Sequence, residues 1–173
     1  MNEITLAEFS FTATINAPIE KIDLSARISG LADDECQRCF PAHVATGATH
    51  SSDGRLLAIN VEVLGRSVLV SHFIEEITDK HHIRLALGSD SFTLTGLTLQ
   101  VTLDMSVKAI DSKKCQFTSY IHSPPTEEFL VFLAKQGIPF EQYKQARQPV
   151  SEAHNRQEMP PFAATIERAA LMR

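Results

Sequence analysis

The chain has 173 residues, 43% of them hydrophobic, and a formal net charge of −5. That length suits one domain with a sizeable core, and the charge offers no overall attraction to nucleic acid. There is no Lys/Arg block and no apolar run of bilayer-spanning length, and the three cysteines are an odd number. Nucleic-acid binding, a membrane span and a disulfide framework are therefore not expected. The opening Met1-Asn2-Glu3-Ile4 is acidic and lacks the apolar stretch of a secretory signal, which makes the cytoplasm the expected compartment.

Residues 5–15 alternate Phe9, Phe11, Ala13 and Ile15 against Ser10, Thr12 and Thr14, the period of a half-buried strand. Asn16-Ala17-Pro18 ends it, and Pro18 suits the first turn of a helix. Ile19, Ile22, Ala26 and Ile28 follow at helical spacing until Gly30. A second short helix starts at Asp33 or Asp34, with acids at its positive end, and runs to Phe40 before Pro41.

A long run of alternating segments comes next. Residues 43–50 form a weak strand, and Ser51-Ser52-Asp53-Gly54 is a hairpin turn. Residues 55–64 set Leu57, Ile59, Val61 and Val63 against Ala58, Asn60 and Glu62, and Gly65-Arg66 makes a tight turn. Val68, Val70, His72 and Ile74 then alternate with Leu69, Ser71, Phe73 and Glu75. After Thr78-Asp79-Lys80, residues 82–87 and 97–108 continue the pattern. The second of these sets Leu97, Leu99, Val101, Leu103, Met105 and Val107 against Thr98, Gln100, Thr102, Asp104, Ser106 and Lys108. Asp111-Ser112-Lys113-Lys114 turns the chain into a last strand over residues 115–122.

Pro124-Pro125 closes the sheet. Thr126 can cap a helix beginning Glu127-Glu128 and ending at Gln136-Gly137. Helical spacing resumes from Pro139 to Arg147 or beyond, Pro160-Pro161 interrupts it, and 162–171 is a short helical pattern. Strands joined by tight turns pair antiparallel, and a sheet with one apolar face needs a cover. The helix after Pro125 is the expected cover.

This order resembles the START/SRPBCC helix-grip superfamily over about residues 5–136. The passage Ile15-Asn16-Ala17-Pro18-Ile19-Glu20-Lys21-Ile22 looks like that group's step from first strand to first helix. The resemblance implies an α+β fold in β-α-α-β6-α order. A curved antiparallel sheet of about seven strands would grip a long C-terminal helix, with an extra helical tail. Residues 1–137 would form the helix-grip domain, and residues 138–173 an extension packed on it or on a partner. Members of the group bind lipids, sterols and polyketides, or cyclise and dehydrate polyketide chains. Fold alone does not transfer function.

His72 is the polar exception on the face of Val68, Val70 and Ile74. If that face lines a cavity, His72 is the candidate acid or base; if the strand is rotated, Leu69 and Phe73 face inward and His72 is wet. Glu76 shares the face of His72 but lies about 13 Å along the strand, too far for a dyad. Asn60 and Glu62 lie opposite Leu57, Ile59 and Val61, on a face that reads as solvent. Tyr120 or Asn60 is the candidate polarising group, against a bland reading of Tyr120 as a surface residue. Val70, Ile74, Glu76, Phe117, Phe129, Phe132 and Leu133 are the candidate ligand-lining residues. The last three also fit the packed face of the covering helix.

Cys36-x-x-Cys39 with His43 and His50 offers four zinc-ligand types, but the spacing matches no common zinc module. No metal and no cofactor are expected. There is no nucleophile elbow, phosphate loop or dinucleotide fingerprint. Two function classes follow. One is a binding protein for a small apolar or polyketide-like molecule, or a cofactor-free cyclase, aromatase or dehydratase acting on one. The other is a non-catalytic carrier of a lipid-like ligand, or an interaction module whose tail mediates a homodimer or partner contact.

Overall fold

The computed structural model of the chain describes residues 4–64, 67–91 and 98–172. The expected turn at Gly65-Arg66 and the expected strand residue Leu97 lie outside these residues. Strand β1 (Ala7–Ile15) leads through a single 3-10 turn to α1 (Leu24–Ser29) and α2 (Asp33–Cys39). Six strands follow: β2 (His43–His50), β3 (Leu56–Leu64), β4 (Ser67–Thr78), β5 (His82–Ser91), β6 (Thr98–Ala109) and β7 (Cys115–Ser123). Helices α3 (Glu127–Lys135) and α4 (Phe140–Leu171) complete the chain.

The seven strands form one antiparallel sheet in the order β1-β7-β6-β5-β4-β3-β2. This is the expected curved α+β helix-grip architecture. The local signals act as the residues suggest. Asp23 accepts from the Ala26 amide at 2.9 Å to start α1, and Thr126 accepts from the Phe129 amide at 3.1 Å to start α3. Gly137, with φ +67°, ends α3 in the left-handed conformation and turns the chain into α4.

Directly paired residues share a face of a sheet, so register carries the inward direction from strand to strand. On β6, Leu103, Met105 and Val107 face the core, as the alternation predicts. Leu103 pairs with Leu85 of β5, and Leu85 pairs with Glu75 of β4. Phe73 and Ser71 share the Glu75 face, and Ser71 pairs with Asn60 of β3. The inward faces of β3 and β4 are therefore the more polar ones. Their branched apolar residues point outward, with Ile59, Val63, Val68 and Ile74 between 38% and 42% exposed. A one-residue shift would reverse this, but every ladder back to β6 opposes it.

The helix held by the sheet is α4, not the expected 127–136 helix. Met159, Phe162, Ala163, Ile166 and Ala170 lie in one core with Phe9, Ile15, Met105 and Phe117. Phe162 meets Phe117 edge-on at 6.1 Å and Phe40 at 5.7 Å between ring centroids. The residues expected as an extension thus supply a wall of the main core. The expected break at Pro160-Pro161 does not occur: Pro149, Pro160 and Pro161 all sit inside one continuous helix. An interior proline costs about 3 kcal/mol, so the Pro160-Pro161 pair costs about 6 kcal/mol; burial of Met159, Phe162 and Ile166 at about 1.5–3 kcal/mol each is of the same size and offsets it.

Polar side chains also fasten α4 to the sheet's edge. Gln148 accepts from the Glu8 amide at 3.0 Å and donates to the Glu8 carbonyl at 2.7 Å. Glu167 accepts from the Asn16 amide at 2.7 Å. Because β1 is an edge strand, the two Gln148 bonds occupy backbone groups of Glu8 that would otherwise stand open. Helix α3 instead packs Phe129 and Leu133 on Leu6 in a separate small cluster.

Phe162→Ala is expected to lower the unfolding free energy by about 3–5 kcal/mol. Val131→Ala, on the exposed side of α3, is expected to change it by less than about 0.5 kcal/mol. Urea unfolding of both variants checks which helix belongs to the core.

Candidate functional site

A cavity of about 240 Å³ lies between the inner sheet face and α4. One water needs roughly 10–15 Å³ of such space, so the cavity has room for an organic molecule. Its deeper wall is apolar, with Leu85, Val101, Leu103, Met105 and Phe162 among the lining residues. Its other end is polar and is built by β2, β3 and α4.

Four titratable side chains converge at that end. His43 of β2 and Glu62 of β3 are cross-strand partners. His154 and Glu158 stand one turn apart on α4 and face them. His43 Nε2 is 3.5 Å from Glu62 Oε2 and 3.5 Å from Glu158 Oε1. His154 Nε2 is 3.3 Å from Glu62 Oε2 and 3.2 Å from Glu158 Oε2. One donor atom from each lies within 4.8 Å of all the others, the one such grouping found among the described residues. The types are those a divalent cation accepts.

The surroundings hold His43 in place. Its ring stacks on Phe40 at 4.8 Å, and its Nδ1 is 3.6 Å from Cys36 Sγ. The Asn60 amide lies 3.4 Å from its Nε2. Burial pulls the His43 pKa down to about 4, against the Glu62 charge, which acts to raise it. Burial pushes the Glu158 carboxyl up to about 8; His154 opposes that rise and Glu62 adds to it. Burial also acts to lower His154, but the Glu62 hydrogen bond and the charges of Glu158 and Glu62 outweigh it and raise the group. Glu158 Oε1 and Asn60 Oδ1 are buried without a hydrogen-bond partner among the described residues.

The expected site residues divide sharply. Asn60 lines the cavity, and so does Glu62, whose face had read as solvent. His72 is exposed on the outer face, with Val70, Ile74 and Glu76 on the same side. Leu69, Ser71 and Phe73 line the cavity in their place. The rotated alternative for this strand is the one realised, and His72 does not reach the interior. Tyr120 also faces outward, and its hydroxyl donates to Glu8 Oε2 at 3.1 Å. Phe117 is fully buried in the core against Phe162. Phe129 and Leu133 are buried with Leu6 beneath α3, and Phe132 packs beside them; none of the three lines the cavity.

Sequence reasoning missed His154 and Glu158. Their signal was an i, i+4 pair ahead of the apolar residues Met159, Phe162 and Ile166. It was hidden because the segment carrying it was expected to be an appendage. The sequence sets His43 beside Cys36 and Cys39 and gives no sign of its pairing with α4. Cys36 touches His43, Cys39 faces the Pro161 carbonyl at 4.0 Å, and His50 is exposed, so these residues do not gather as a four-ligand set.

No family model matches the chain, and no curated protein matches it. Solved structures do. An aromatase/cyclase, Zhui, from Streptomyces sp. R1128 aligns with a TM-score of 0.63 at 10% identity, covering 93% of each chain. A START superfamily protein from Mycobacterium smegmatis aligns at 0.61 and 12% identity, covering 93% of this chain and 97% of that one. Norcoclaurine synthase from Thalictrum flavum aligns at 0.55 and 14% identity, covering 99% and 89%. The likeness is one of fold: the chain has the START/SRPBCC helix-grip fold. Among the described residues, no helix is long and apolar enough to cross a membrane.

Cys36, Cys39 and Cys115 are each 5% exposed or less. A thiol reagent applied to the native chain is expected to modify none of the three within minutes, and all three after denaturation. Rapid native modification of one thiol would contradict the placement of its helix or strand.

Proposed function

We propose that the chain binds a small, largely apolar organic molecule carrying a polar group, held between the sheet and α4. The observation that carries this reading is the cavity's two-sided lining. Apolar side chains from β5, β6 and α4 make most of the wall, while Asn60, Glu62 and the two histidines are gathered at one end. Ligand sites commonly combine a mostly apolar wall with a few placed polar groups that set orientation. An apolar body would displace water from the deep wall, and a carbonyl or hydroxyl would meet the polar end.

The convergence of two imidazoles and two carboxylates favours an enzyme over a passive carrier. A uniformly apolar pocket would serve carriage equally well and would avoid burying Glu158 and Asn60. The reaction class we propose is cyclisation, aromatisation or dehydration of a polyketide-like substrate. A curved apolar cavity can hold a flexible chain folded, bringing distant carbons together and excluding water. The polar end would then hold the oxygen of the reacting carbonyl. That one similar structure is named an aromatase/cyclase supports the reading. Carriage of a lipid-like molecule is the alternative, favoured by the apolar wall alone.

Val101→Trp is expected to fill the cavity and reduce binding of a hydrophobic fluorescent probe at least tenfold, while leaving the circular dichroism spectrum unchanged. Native mass spectrometry of the purified chain reads the same point independently, through any co-purifying molecule. Probe binding that survives the tryptophan would place the ligand elsewhere.

A further inference from the structure

We propose that His43, Glu62, His154 and Glu158 form a binding site for one divalent transition-metal ion, of the zinc class, at the polar end of the cavity. The site stands whether or not the cavity holds an organic ligand.

The distances carry the argument. Direct charge-assisted hydrogen bonds between nitrogen and carboxylate run about 2.7–2.9 Å. Here the four nitrogen–oxygen separations are 3.2, 3.3, 3.5 and 3.5 Å, all longer than that, and the His154–Glu62 hydrogen bond is a long one. They lie near the ligand–ligand edge of a tetrahedron, with Glu158 meeting His43 through Oε1 and His154 through Oε2, and one donor atom from each of the four groups lies within 4.8 Å of the others. Bonds of about 2.0–2.1 Å from an ion to imidazole nitrogen or carboxylate oxygen give edges of about 3.3–3.4 Å. The sheet contributes one histidine and one glutamate, and α4 contributes the same pair across the gap.

Burial makes the arrangement hard to explain as a structural ion-pair network. The side chains of Glu62 and Glu158 are only 13% and 6% exposed. Glu158 Oε1 has no hydrogen-bond partner among the described residues and points at the centre of the group. Two facing carboxylates need compensating positive charge, and among the described contacts the two histidines alone are placed to offer it, with no Lys or Arg ion-paired to either carboxylate. A divalent ion supplies that charge and takes up the orphaned oxygen.

Neighbouring side chains fix the His43 ring. Both histidines present Nε2 to the centre. His43 Nδ1 is then free to carry its proton toward Cys36 Sγ at 3.6 Å, with Phe40 stacked on the ring to fix its plane. Two imidazoles with two carboxylates suit zinc and its divalent neighbours better than calcium or magnesium, which take oxygen.

The test is calorimetric titration of the chelator-stripped chain with zinc chloride. One ion per chain is expected, with a rise in melting temperature on addition. His154→Ala and Glu158→Gln are each expected to weaken zinc binding at least tenfold, and His72→Ala to leave it unchanged. Should either ligand variant fail to fold, cobalt(II) in the unaltered chain decides alone. The intense visible bands of four-coordinate cobalt support the site, and the weak spectrum of six-coordinate cobalt overturns it. Absence of stoichiometric zinc binding overturns it too, as does binding that both ligand variants retain. Val101→Trp separates the two readings: it should lose the organic probe and keep the zinc.

Discussion

The interior of this protein depends on strand register. Direct pairing carries the core-facing side of β6 through β5 to β4 and β3. Because the β6 face is unbroken, every strand hydrogen-bonded to it inherits its direction. Ser71 and Asn60 are turned inward by that chain of pairs although their strands carry more apolar side chains on the other side. The polar end of the cavity results from ladder geometry overriding the hydrophobic preference of two strands.

That override shows which features were legible in the sequence. The seven strands, the two small helices and the Thr126 cap followed from alternation, spacing and turn residues. The inward side of β6 followed as well, because Leu103, Met105 and Val107 leave no ambiguity. The inward sides of β3 and β4 did not, because Val61 and Val70 look like core residues when each strand is considered alone. His72 breaks an apolar face, but that face is the outward one. The realised direction appears only when the register to β6 is known, and that is a long-range property.

The second gap concerned α4. Three internal prolines and a mostly polar sequence hid a helix of 32 residues. Its stability comes from tertiary burial of Phe162, Ile166 and their neighbours, which local propensity does not report. Once α4 rather than α3 lies in the sheet's grip, His154 and Glu158 arrive opposite His43 and Glu62. The cluster is thus a product of the whole fold: two groups one helical turn apart, two groups paired across strands, and a helix laid between the ends of the sheet.

The polar end of the cavity exists because β4 faces inward through Ser71 and outward through His72. Thiol footprinting of Ser71→Cys and His72→Cys, against the silent background of three buried native cysteines, tests this most directly. Rapid labelling at position 72 and strong protection at position 71 are expected. Rapid labelling at 71 with protection at 72 would contradict that orientation, and with it the placement of Asn60 and Glu62 in the cavity.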